Sequence, residues 1–155
     1  MPSVDVPELK RRLFAECKRQ LRERTEKLED ALRNIVESRD GETKSSAGDK
    51  FETGRAMMQL EEAKLRGQLA EAGEAYDRLL AIDLATPRQS AGAGALVGTN
   101  RGNFFIATGI GKVTLDGRPF FCTSPVAPIA RAMLGKGVGE ELVFNGVEFI
   151  ILELA

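Results

Sequence analysis

The chain has 155 residues, 43% of them hydrophobic, and a formal net charge of -1, enough for one ordinary domain or two small ones with a packed core. A near-neutral balance excludes bulk attraction to nucleic acid or membrane as the organising principle. The absence of any histidine excludes Ser-His-Asp and Cys-His nucleophilic sites, His-ligated metals and imidazole bases, which favours a protein that acts on a partner over a stand-alone enzyme.

In chain order, Met1–Val6 lacks a basic start followed by an apolar block, so no signal peptide is expected. Residues 7–38 predict one helix. Pro7 suits its first turn, and Leu9, Leu13, Cys17 and Leu21 recur every four residues. After a polar gap at Arg24 and Thr25, Leu28, Leu32 and Ile35 continue the stripe. Residues 51–83 predict a second helix, in which Met58, Leu65, Leu69, Ala72, Tyr76 and Leu79 follow the spacing of a coiled-coil seam. Each helix has one apolar stripe and needs a partner. The short connection favours an antiparallel pair, an arm roughly 45 Å long at about 1.5 Å per residue. A dimerising coiled coil satisfies the same periodicity.

Residues 1–83 carry 16 Lys/Arg and 18 Asp/Glu, whereas residues 84–155 carry only 6 and 5. The Pro/Gly/Ser-containing segment from Thr86 to Gly94 predicts a linker. Beyond it, Leu96–Thr99, Asn103–Thr108, Lys112–Leu115, Arg118–Thr123, Leu142–Phe144 and Val147–Leu154 predict strands. Asp116-Gly117 and Asn145-Gly146 favour two-residue hairpin turns. Pro128–Leu134 predicts one short helix stopped by Gly135. The expected fold class is α+β: an antiparallel coiled-coil hairpin over 1–84, a linker over 85–94 and a compact β-rich domain over 95–155. No run of 18 apolar residues exists, so no membrane span is expected. Cys17 and Cys122 form neither a metal spacing nor a disulfide framework; each fits a small core position, and a reduced, cytoplasmic setting is expected.

The connection between the helices carries Asp40, Glu42, Asp49 and Glu52. Two readings of Asp49 and Glu52 stay open. Three residues apart at a helix start, they suit a capping role toward exposed amides. Alternatively, two carboxylates at the end of a long rod supply oxygen ligands for Mg²⁺, completing a site whose other ligands belong to a partner. The basic residues Arg11, Lys18 and Arg22 lie on one helix face, with Glu16, Glu23 and Glu26 available to balance them, so a solvated face is the simpler reading. The glycines around Lys112 and Lys136 lack the phosphate-loop pattern and predict turns.

The run Gly48-Asp49-Lys50-Phe51-Glu52-Thr53 resembles the Gly-Asp-x-x-Glu-Asn tip motif of the bacterial Gre-type transcript-cleavage factors. The run from Ser124-Pro125 through Pro128, Ile129 and Leu134 to Gly135-Lys136 resembles their C-terminal Ser-Pro-Ile-(Gly/Ala)-Arg segment, which ends in Gly-Lys. The two lie in the family's order, and the resemblance spans nearly the whole chain. It implies a C-terminal domain of FKBP-like fold without isomerase activity, and bacterial RNA polymerase as partner. It further implies a hairpin entering the secondary channel and stimulation of the polymerase's own cleavage of backtracked RNA.

On that resemblance Asp49 and Glu52 take the acidic roles, holding Mg²⁺ only jointly with the polymerase; no cofactor is bound by the chain alone. Ser124, Pro125, Pro128, Ile129, Leu134, Gly135 and Lys136 take the docking role, with Pro128, Ile129 and Leu134 as apolar contacts. The protein would touch nascent RNA only indirectly, take no small-molecule substrate, bind no membrane and act as a monomer rather than as an enzyme. Where the family has an Asn-Ala-Glu-Tyr-like run after the tip glutamate, this chain has Thr53-Gly54-Arg55-Ala56, with an arginine at the acidic place. That departure motivates an alternative, a non-cleaving regulator of the same channel. The helical seam motivates another, a coiled-coil structural adaptor.

Overall fold

The computed structural model describes residues 5–42 and 48–155, and for residues 42 and 48–51 the backbone alone. The architecture is α+β. The chain divides into two compact units, Leu21–Asp77 and Met1–Gln20 with Arg78–Ala155.

The first of these units is an antiparallel pair drawn from α1 (Val6–Glu42) and α2 (Gly48–Leu80). On α1, Leu21 is fully buried, and Thr25, Leu28, Leu32, Ile35 and Arg39 are half-buried. On α2, Leu65 and Ala72 are buried between half-buried Met58, Glu62, Leu69 and Tyr76. The seam expected from the spacing is therefore the packed face. Arg22 donates to the Tyr76 hydroxyl at 2.7 Å, and Arg39 reaches Glu62 at 2.5 Å. The partner number falls as the α1 number rises, which makes the helices antiparallel. The polar gap in the stripe has a local cause: the Thr25 hydroxyl donates to the Leu21 carbonyl at 2.9 Å, satisfying its polarity inside the helix.

Both helices run further into the connection than the periodicity predicts. α1 continues past residue 38 to Glu42, and α2 opens at Gly48 rather than 51. An apolar stripe ends where packing ends, but helical backbone needs only tolerant residues, and Arg39 holds Asp40 and Glu62 from within the extension. Lys44, Ser45, Ser46 and Ala47 lie outside the described residues, as does the side chain of Asp49.

The second unit contains a six-stranded mixed sheet of β1 (Leu96–Thr99), β2 (Gly102–Ile106), β3 (Gly111–Leu115), β4 (Arg118–Thr123), β5 (Glu141–Phe144) and β6 (Val147–Leu154). Its order is β3-β4-β2-β1-β6-β5, with β2 and β4 parallel and every other pair antiparallel. The six predicted strands are present within a residue or two. Asp116 and Gly117 have φ of 52° and 76°, and Asn145 and Gly146 have 51° and 75°. Two consecutive positive φ values are what the type I′ turn requires, so both expected hairpins form.

The two faces of this sheet are covered differently. On one, Val97, Ile106, Leu142, Phe149 and Ile151 pack with Ala130 and Met133 of α3 (Pro128–Met133). On the other, Phe105, Phe120 and Cys122 are buried with Leu9, Leu13 and Cys17 of α1. The early part of the α1 stripe thus covers sheet. Arg12 reinforces it through a two-pronged contact with Asp116 in the β3–β4 turn, at 2.6 and 3.3 Å.

The helical run α2 ends at Leu80 rather than 83, because the Asp83 carboxylate accepts the amides of Ala85 and Thr86 and the Thr86 hydroxyl, a side-chain turn that competes with helix. The Pro/Gly/Ser segment after it is tied into the sheet unit. Ala91 and Ala95 are core residues, Ala91 exchanges backbone hydrogen bonds with Gly135 and Lys136 at 2.9 and 2.8 Å, and the Gly94 amide donates to Ile106 at 2.6 Å.

Candidate functional site

The acidic pair of the sequence falls in the first turns of α2. Asp49 lies within the helical backbone one residue after Gly48, and Glu52 follows one turn on as an exposed side chain. The two positions are three apart on one helix, about one turn. Two side chains supply at most a fraction of the six or more oxygens a hard divalent cation takes, and the remainder must come from outside this pair. Among the described residues no group of three or more His, Cys, Asp or Glu is placed to hold a metal ion.

Beyond the acids, two features emerge that the periodicity did not single out. Met57 and Leu60, three apart on α2, are 66% and 73% exposed, whereas the neighbouring Met58 sits on the seam. The seam spacing includes Met58 and leaves Met57 out. The signal for the difference was the seam phase itself: 58 and 65 are in phase, 57 and 60 are not.

Glu62 takes the seam position between Met58 and Leu65. Its side chain is only 13% exposed and receives Arg66 at 2.9 Å and Arg39 at 2.5 Å. The Arg66 hydrogen bond, with Arg39 beside it, holds the Glu62 carboxyl below the usual glutamate range. A polar residue at one seam position fixes register at some cost in stability. Periodicity missed Glu62 because it registers only apolar residues.

In the sheet unit, the Ser124–Lys136 run forms a turn, α3 and a second turn. The Ala127 amide donates to the Ser124 carbonyl at 3.0 Å, and Pro128 opens α3, where a missing amide costs nothing. Ser124 and Pro125 are half-buried, Pro128 is exposed, and Leu134 is 66% exposed. Ile129 instead packs against the core cluster with Ala130 and Met133. Gly135 has φ of +79° and lies exposed, and Lys136 is half-buried with its backbone carbonyl bound to Ala91. Val126 and Val138, flanking the run, are also more than half exposed. The structure therefore leaves Pro128 and Leu134 available for an apolar contact and commits Ile129 largely to the core.

Lys10 is a buried cation at 4% exposure, beside Arg88 and Asp83. Burial pushes its pKa down, Arg88 adds to this, and Asp83 opposes it. The two cysteines, read from the sequence as small core residues, are both buried, Cys17 in α1 and Cys122 in β4.

No protein-family model matches the sequence, and no curated protein matches it. Among solved structures, the chain is similar to the GreA factor homolog 1 (Gfh1) protein of Thermus thermophilus, at 16% identity over 89% of this chain and 94% of that one, with a TM-score of 0.40. It is also similar to a structure of the transcription factor Gfh1, at 16% identity over 88% of this chain and 92% of that one, with a TM-score of 0.38.

Proposed function

We propose that this protein is a transcription factor that binds bacterial RNA polymerase, places its helical pair in the secondary channel and stimulates cleavage of backtracked RNA by the polymerase. The observation that carries the reading is the coincidence of a motif with a position: the segment resembling the Gre tip, Gly48 to Thr53, opens the second of two antiparallel helices, with Glu52 exposed. An antiparallel helix pair is narrow, roughly two helix diameters of about 10 Å each, and fits a channel that a globular domain does not.

In this reading Asp49 and Glu52 contribute oxygens to a Mg²⁺ held jointly with the polymerase, and the chain is not itself an enzyme. The Mg²⁺ would supply Lewis-acid and water-activating chemistry. Exposed Met57 and Leu60 offer apolar contacts to the channel wall, and exposed Pro128 and Leu134 offer them at its rim. The protein works as a monomer in the cytoplasm, because an intramolecular seam needs no second chain.

A second reading rests on Arg55. It is exposed and three residues after Glu52, so it shares a helix face with that acid and offsets its charge. This favours a regulator that occupies the channel without promoting cleavage.

The test is RNA cleavage in a backtracked bacterial elongation complex, with wild type beside Asp49→Ala/Glu52→Ala. Shortening of the RNA by wild type alone supports the first reading. Binding without shortening, together with competition against a cleavage-active factor, replaces it by the second. Absence of polymerase binding at physiological salt overturns both.

A further inference from the structure

Four residues form one row across the sheet. Phe120 of β4 stands opposite Asn103 of β2, Asn103 opposite Gly98 of β1, and Gly98 opposite Glu153 of β6. Directly opposed residues project to the same side of a sheet, and Phe120 is buried on the side where Leu9 of α1 lies. Gly98 is the one member of the row with no side chain, so the row is interrupted between Asn103 and Glu153. A Cβ placed on Gly98 would lie 3.2 Å from the Asn103 Oδ1 and 3.6 Å from the Glu153 Oε2. Two acceptor oxygens therefore converge on the position where a side chain would stand. Among the described residues, neither of these two side chains has a hydrogen bond or an ion pair.

The interruption opens into a cavity of about 460 Å³, within the size range of small-molecule sites. All of its lining residues belong to the sheet unit. Leu9, Leu96 and Phe120 supply apolar wall, and Asn103, Arg118 and Glu153 are the polar side chains that line it. Charge is divided across the cavity. Glu153 is on β6 and Arg118 is on β4, with β2 and β1 between them. The Arg118 guanidinium sits over the Phe120 ring, 5.7 Å from its centroid.

We propose that this cavity is a binding site for a small amphipathic ammonium ion, one primary amine on a short apolar body. The ammonium stands over Gly98 and donates to the Asn103 Oδ1 and the Glu153 Oε2, both within its reach. The apolar body lies along Leu96, Leu9 and Phe120. The Glu153 carboxylate selects a cation over a neutral alcohol of the same shape, because a charge-assisted hydrogen bond is roughly twice as strong as a neutral one. Arg118 at the far side disfavours a second positive charge, so a monoamine is preferred to a diamine. The missing Cβ of Gly98 is what admits the ammonium. Asp49 and Glu52 take no part in this site, which stands or falls separately from the polymerase reading.

The test titrates n-hexylamine hydrochloride into the purified full-length chain and follows the backbone amide resonances, with hexanol, hexanoate and hexanediamine in parallel at the same pH and ionic strength. The expected result is saturable shifts centred on Gly98, Asn103 and Glu153, with a dissociation constant on the order of millimolar and weaker binding of all three analogues. Glu153→Gln should weaken hexylamine binding roughly tenfold. Gly98→Ala should abolish it, because the new methyl takes the place of the ammonium. Gly98 lies outside the left-handed region, so its backbone accepts alanine. Hexanol binding as tightly as hexylamine, or no saturable shift at those three residues well above millimolar concentration, would overturn the proposal. So would a Gly98→Ala variant that keeps both the wild-type thermal midpoint and the wild-type affinity. Should Gly98→Ala fail to fold, Glu153→Gln decides: unchanged affinity overturns the site. Hexanediamine binding as tightly as hexylamine overturns the role given to Arg118.

Discussion

Replacing Gly94 by alanine tests whether the segment before the sheet is a built part of it. Gly94 has φ of +90°, and a Cβ placed there would lie 2.7 Å from the Ile82 side chain, 3.1 Å from the Arg88 guanidinium and 3.1 Å from the Asp83 carbonyl. The backbone conformation alone costs about 1–2 kcal/mol for an L-residue with a side chain. Overpacking adds about 1–3 kcal/mol, because two of the atoms met are side-chain atoms but the Asp83 carbonyl is backbone. The sum is about 2–5 kcal/mol, equivalent to a fall in thermal midpoint of roughly 4–20 °C for a chain of this size. Gly111→Ala is the matched control: φ is +81°, and nothing lies within 4 Å of a Cβ there. It carries the conformational cost without the collision. Urea unfolding of the two variants beside wild type separates the contributions. Equal losses in both would refute the close-approach argument, and a Gly94→Ala variant as stable as wild type would refute the whole account.

Gly67 and Gly73 are interior residues of α2 whose added Cβ would meet nothing within 4 Å, so Gly67→Ala and Gly73→Ala should each stabilise the chain by about 0.5–1 kcal/mol, read as a higher urea midpoint. Acid should destabilise the fold in a defined direction. The carboxyls of Glu16, Glu62, Asp83 and Asp116 are all held below their ordinary values of 4.5 for Glu and 3.8 for Asp, chiefly by hydrogen bonds from Arg19, Arg66, Thr86 and Arg12 respectively. A depressed folded-state pKa contributes stability that is present above the unfolded value and is lost as pH falls through the folded one. The thermal midpoint should therefore be level from neutral pH down to about 5 and fall steadily below about 4.5, with a shallower fall in Glu62→Gln. A midpoint that rises on acidification would contradict the sign.

The local elements were legible because they depend on short-range rules. Periodicity located both long helices and their seam, β-branched and aromatic runs located six strands, and Asp116-Gly117 and Asn145-Gly146 announced their turns by the positive φ they adopt. The acidic segment was equally legible, since Asp49 and Glu52 stand out by their position at a helix start. Their chemistry was not, because two carboxylates three residues apart serve a helix cap as well as a metal.

Tertiary structure alone decided the rest. One apolar stripe on α1 serves two different surfaces: Leu9, Leu13 and Cys17 cover sheet, while Leu21 and the positions after it pair with α2. A stripe records that a face is buried, not what buries it. The same limit applies to Ile129, which turned to the core while Leu134 stayed exposed, and to Gly94, whose role is close packing rather than flexibility. Arg39 with Glu62 and Arg12 with Asp116 are each pairings across sequence distance. The amino-acid sequence by itself determined which segments are helix, strand and turn, because those follow from neighbours a few residues apart; which faces and side chains meet was decided by the folding of distant segments onto one another.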